Sequence, residues 1–163
     1  MNVIKKLFAG LFSGLIATAF SACDGLALQD LKPGVSTDRD VRNRMGRPTR
    51  EWKDADGTQT WEYPRTPEGI VNYMIVIGPD NVLREVRQVL TEENFGKVTA
   101  GMSKEDVRRL LGQPAHELYF PLKKEHLWDW KWKIESSMDI FFNVHFDDDG
   151  HVVKTSSNFV PKG

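Results

Sequence analysis

Two tandem units, each a short helix pair followed by a three- to four-stranded antiparallel meander, make up the α+β fold that this sequence predicts. Three observations carry the expectation. Gly101 to Pro114 reads as one short helix with both ends specified, and a looser copy of it stands at Gly34 to Pro48. Each copy then runs on into alternating apolar segments broken by Gly- and Asp-containing turns.

The later helix is legible residue by residue. Ser103 suits the N-cap, and Asp106, three residues on, answers as a shorter form of the capping-box glutamate. Met102 before the cap and Val107 in the first turn suit a hydrophobic staple. Val107, Leu110 and Leu111 fall at i, i+3 and i+4 and give one apolar side. Gly112 supplies the left-handed conformation that ends a helix, and Pro114 blocks its resumption. In the earlier copy Asp40 to Pro48 matches Asp106 to Pro114 at a constant offset, with Ser36 or Thr37 as the cap. Arg44 stands where Leu110 stands, so that helix has a thinner apolar side.

The strands follow in order. Arg50 to Lys53 and Thr58 to Tyr63 read as a hairpin, Ile70 to Ile77 as a strong strand, and Val82 to Leu90 as its return after the Gly78–Asn81 turn. Thr91 to Val98, with a capping threonine and two early glutamates, reads as the first helix of the second pair. His116 to Phe120, His126 to Lys133, Met138 to Phe146 and His151 to Asn158 then repeat the meander, with Trp128-Asp129-Trp130 answering Trp61-Glu62-Tyr63. The units are placed at 33–90 and 91–163.

The amino terminus has its own composition. Met1 to Lys6 is short and basic, and Leu7 to Phe20 is almost wholly apolar, which suits residues 1–22 as a signal peptide better than a membrane span. The run ends in Phe20-Ser21-Ala22-Cys23, which resembles the lipobox of bacterial lipoprotein precursors. Cys23 is the only cysteine, so the chain has no internal disulfide, and it is read as the lipidation point of a tether over 23–32. Two kinds of acyl linkage hold a protein at a membrane where one chain binds only marginally. Removing Lys5 and Lys6 from the 22 basic residues leaves 20 against 23 acidic ones, a balance of −3. That balance lacks the concentrated basic face of a nucleic-acid binder.

Gly-Met-Ser-x-x-Asp-Val-x-x-Leu-Leu-Gly-x-Pro at 101–114, ahead of a Trp-bearing meander, resembles the SmpA/OmlA (BamE) small lipoprotein family, here as a tandem repeat. The resemblance implies a lipid-anchored protein on the periplasmic face of the outer membrane. It implies a non-catalytic, protein-binding accessory whose partners are envelope proteins such as the β-barrel assembly machine, and membrane attachment through Cys23. Asp24 after the cysteine resembles an inner-membrane retention signal of enteric bacteria. A tandem of such units also resembles the β-lactamase inhibitor protein, which gives the alternative of a secreted or periplasmic hydrolase inhibitor.

Reactive constellations are not apparent. His116, His126, His145 and His151 lack metal-ligand spacing, and the Asp147–Gly150 turn lacks the later ligands of a calcium loop. There is no phosphate loop and no nucleophile elbow, so neither a cofactor, a metal nor an enzymatic activity is expected. The candidate binding residues come from strand alternation. Trp128, Trp130 and Trp132 share one face, expected to lie under the helices, with Trp132 at its solvent end. The opposite faces carry Met74 and Val76 in the first copy and Phe141, Asn143 and His145 in the second, where a solvated face would be polar. These residues either pack the copies together or meet a partner, with Lys131 and Asp139 at the rim.

Overall fold

The computed structural model describes residues 27–162, and Cys23 with the signal segment lies outside them. The elements are α1 (Asp38–Met45), β1 (Arg50–Lys53), β2 (Gln59–Pro64), β3 (Asn72–Ile77), β4 (Leu83–Gln88), α2 (Glu92–Phe95), α3 (Lys104–Leu111), β5 (His116–Phe120), β6 (Glu125–Ile134), β7 (Met138–Phe146) and β8 (Val152–Pro161). They form two four-stranded antiparallel sheets, β1-β2-β3-β4 and β5-β6-β7-β8, each in sequence order.

The α+β expectation of two helix pairs is corrected by this architecture. The described chain is 44% strand and 17% helix. The helix expected over Thr91 to Val98 is one turn, capped by the Thr91 side chain and followed directly by Gly96. So short a helix closes too few hydrogen bonds to offset its nucleation. Its place is held instead by Phe95 stacked on Phe142, ring centroids 4.2 Å apart. Ahead of α1, the described residues show helix at 27–29. Among the described residues each unit therefore has one helix of eight residues, and the meanders dominate.

The second of those two helices begins at the cap its sequence specifies, and the first uses Thr37 rather than Ser36. Thr37 caps α1 and Ser103 caps α3, each in a reciprocal box with Asp40 or Asp106. Gly112 ends α3 at φ +76, ψ −168, in a positive-φ region that side chains avoid. A Cβ there would also stand 2.9 Å from Asn72 Nδ2.

Two main cores result. On the first sheet, Trp61, Tyr63, Ile75, Ile77 and Leu83 pack with Val41 of α1 and Leu31. On the second, Trp128, Trp130, Phe142, Val144 and Phe146 pack with Val107 and Leu111 of α3. The other side of α3 meets the outer face of the first sheet, so that helix lies between the two sheets. There Arg108 donates from Nε and Nη2 to the two oxygens of Glu62 at 3.2 and 3.0 Å. Glu62 is fully buried, and only 14% of the Arg108 side chain is exposed. Asn72 Nδ2 donates to the Leu111 and Gln113 carbonyls, both at 2.9 Å, while Trp130 Nε1 donates to the Gly112 carbonyl at 3.0 Å. The carbonyls that a helix end leaves open are thus taken by donors from both sheets.

Candidate binding face of the second sheet

With α3 on its inner face, the second sheet turns its other face outward. Register places the outward residues in rows: His116 opposite Asp129, Leu118 opposite Leu127, Asp129 opposite Asn143, Lys131 opposite Phe141, and Phe141 opposite Asn158. Leu118 is 47% and Phe120 40% exposed. Phe141 is half-buried, with the His116 ring 6.2 Å away. An aromatic among polar groups on an open sheet face has the composition of an interface centre.

The polar groups of this face hold one another. Asn143, 6% exposed, donates to Asn158 Oδ1 at 2.9 Å and to Ser156 Oγ at 3.3 Å. His145 Nε2 lies 2.8 Å from Ser156 Oγ, and its Nδ1 lies 2.8 Å from Glu125 Oε1. The hydrogen bond from His145 holds the Glu125 carboxyl below the usual glutamate range. Burial pushes the Asp129 carboxyl up, against the pull of His116 Nδ1 at 2.9 Å. Lys131 and Asp139 pair at 3.7 Å.

Glu125, His145 and Ser156 stand in the order of an acid, a base and a nucleophile. What a hydrolase needs besides is a set of donors aimed at a developing oxyanion, usually the largest single contribution. β6 and β7 are interior strands, whose N–H groups serve the ladders to their neighbours, and β8, which carries Ser156, is an edge strand paired with β7 alone. Asn143 Nδ2 already bonds Ser156 and Asn158. The network fixes side-chain orientations across three strands, which suits a preorganised binding face. Sequence alternation found Asn143 and His145. It missed Glu125 and Ser156, which adjoin them only through strand register.

The remaining expected residues lie elsewhere. Met74 is 1% exposed, packed with Trp52 and Val89 on the side of the first sheet that meets α3, so it serves packing between the units. Trp132 is half-buried on the helix side, edge-on to Phe95 at 5.2 Å. Its Nε1 is buried without a hydrogen-bond partner. Trp128 and Trp130 are 8% and 0% exposed, under α3 as alternation placed them. The cleft of about 380 Å³ along β4, α2 and α3 carries both signs of charge, with Glu93 and Lys97 paired at 2.8 Å. Among the described residues no His, Cys, Asp and Glu group is placed to hold a metal, and no helix is long and apolar enough to cross a membrane.

No protein-family profile matches the chain, and no curated protein does. Two solved structures each align with 82% of it. One is the DUF4309 family protein YjgB from Bacillus subtilis subsp. subtilis str. 168, at 18% identity over 84% of that chain with a TM-score of 0.31. The other is an extracellular protein containing a SCP domain from Bacillus anthracis str. Ames, at 11% identity and a TM-score of 0.29. The alignment spans 47% of that second protein. Likenesses this distant carry no argument about function.

Proposed function

We propose that the chain is a non-catalytic, lipid-anchored binding accessory of the bacterial envelope, facing the periplasm from the outer membrane. Its partners are envelope proteins, the β-barrel assembly machine first among them. The anchor is read from Phe20-Ser21-Ala22-Cys23, and the role from the likeness of Gly101 to Pro114 to the SmpA/OmlA family. The observation that carries the binding role is the open outer face of β5–β8, where Leu118, Phe120 and Phe141 stand among tied polar side chains. Binding there needs little ordering of side chains that the network already holds.

Crosslinked capture from membranes, with wild type beside Phe141→Ala, tests this reading. Recovery of barrel-assembly subunits is expected with the wild type. The variant is expected to lose them at an unchanged melting temperature, with about 1–3 kcal/mol lost from binding. A hydrolase in their place would make the chain an inhibitor. A melting temperature lowered by Phe141→Ala, with capture intact, would assign Phe141 to the core.

A further inference from the structure

The outer faces of the two sheets occupy equivalent positions in their units. Trp61 lies opposite Ile75 and Trp128 opposite Val144, and each tryptophan is buried beneath its own unit's helix. Counting from these pairs, Glu62 corresponds to Asp129, Met74 to Asn143, and Trp52, across from Thr60, to Leu118, across from Leu127. On the first sheet this face receives α3. Trp52 is closed to 6% exposure, Met74 to 1%, and Glu62 is neutralised by Arg108. On the second sheet Leu118 is 47% exposed, and the side-chain partner of Asp129 is the His116 ring, itself 54% exposed. The Asp129 side chain is only 15% exposed. It is a sheltered carboxylate without the guanidinium that its counterpart has.

We propose that the outer face of β5–β8 docks an amphipathic helix of a partner protein, seated as α3 is on β1–β4, with an arginine of that helix reaching Asp129. This rests on the reading of the face as a binding surface and states what it binds. Charge complementarity and the repetition of an interface that the chain already makes both support it. A guanidinium matches a carboxylate in two parallel bonds, as Arg108 does with Glu62. Asp129 is one methylene shorter than Glu62, so the incoming helix must descend further, and Asn143 in place of Met74 leaves it room. Leu118 and Phe141 would flank that arginine, while the apolar side of the helix stays with its own protein, as Val107 and Leu111 of α3 stay with the second sheet.

A second copy of this chain offers the wrong helix. In α1 the residue equivalent to Arg108 is Arg42, stacked over Trp61 at 4.0 Å and paired with Glu51 at 3.0 Å. Where α3 has Leu110, packed against the core of the second sheet, α1 has the charged Arg44.

The probe is a stapled helical peptide of sequence Met102 to Gln113, added to isotope-labelled full-length protein in detergent and followed by amide chemical shifts. Saturable shifts are expected at Leu118, Asp129 and Phe141. Asp129→Asn in the protein, or Arg→Glu at the Arg108 position of the peptide, should weaken binding about tenfold. Absence of saturable shifts up to about 1 mM peptide, against a typical micromolar groove-binding helix, overturns the proposal. So do shifts confined to Glu62 and Met74, or indifference to Asp129→Asn. Concentration-dependent shifts on this face without peptide would assign it to a second copy. Capture from membranes that needs Phe141, with no peptide binding, would retain the accessory role and remove the helix.

Discussion

Arg108→Ala tests whether α3 joins the two sheets through one buried charge pair. Glu62 is fully buried, and both its oxygens accept from Arg108 at 3.2 and 3.0 Å. Truncating the arginine leaves that carboxylate between two packed layers without a counter-charge. Removing one member of such a pair costs about 3–5 kcal/mol, and the partial exposure of Arg108 points to the lower end, about 3 kcal/mol. At about 3 °C per kcal/mol for a chain of this size, the melting temperature should fall by about 10 °C. Glu62→Gln with Arg108→Met removes both charges and should lie within about 1 kcal/mol of wild type. Urea unfolding of wild type, Glu62→Gln, Arg108→Met and the double variant gives the coupling directly. A loss below about 1 kcal/mol in Arg108→Ala, or a double variant no better than the single one, would refute the argument.

Leu111→Ala removes a fully buried side chain from beneath the second sheet and should cost about 2–4 kcal/mol by denaturant unfolding. The Asp106 carboxyl is held below its usual range by the Ser103 hydroxyl and then the Ser103 N–H, and Asp40 by the Thr37 N–H and then its hydroxyl. Stability from these boxes is complete above the ordinary aspartate range and is lost as pH falls through the lowered values. Asp106→Asn should therefore flatten the acid limb of a urea-midpoint titration. Mass spectrometry of the membrane-extracted protein should find Cys23 acylated at a new amino terminus, and a soluble unmodified chain would remove the anchor from the proposed role.

How far the sequence could be read follows from the range of each interaction. The capped helices and the strand order are written in neighbouring residues, so Ser103, Gly112 and the alternating strands were legible, while Thr37 was one of two candidate caps. The helix over Thr91 to Val98 had a start signal but too few apolar positions to hold further turns, and propensity yielded to packing around Phe95. Met74 was ambiguous because alternation gives a residue its face but not what lies against that face. Its cover, α3, comes from the other unit. Ser156 and Glu125 carried no signal, since their meeting at His145 needs the register of three strands.

Because α3 closes both sheets, the chain does not divide evenly. A fragment ending near Leu90 would keep α1 and its own core, but would leave Trp52 and Met74 wet and the Glu62 charge unanswered. A fragment beginning near Thr91 would retain its helix, its tryptophans and a closed inner face, and would expose chiefly the charged side of α3, with Arg108 and Arg109. The amino-terminal half emerges first during synthesis and must wait, with an apolar surface open, for residues that follow it. The carboxyl-terminal half owes it no such debt.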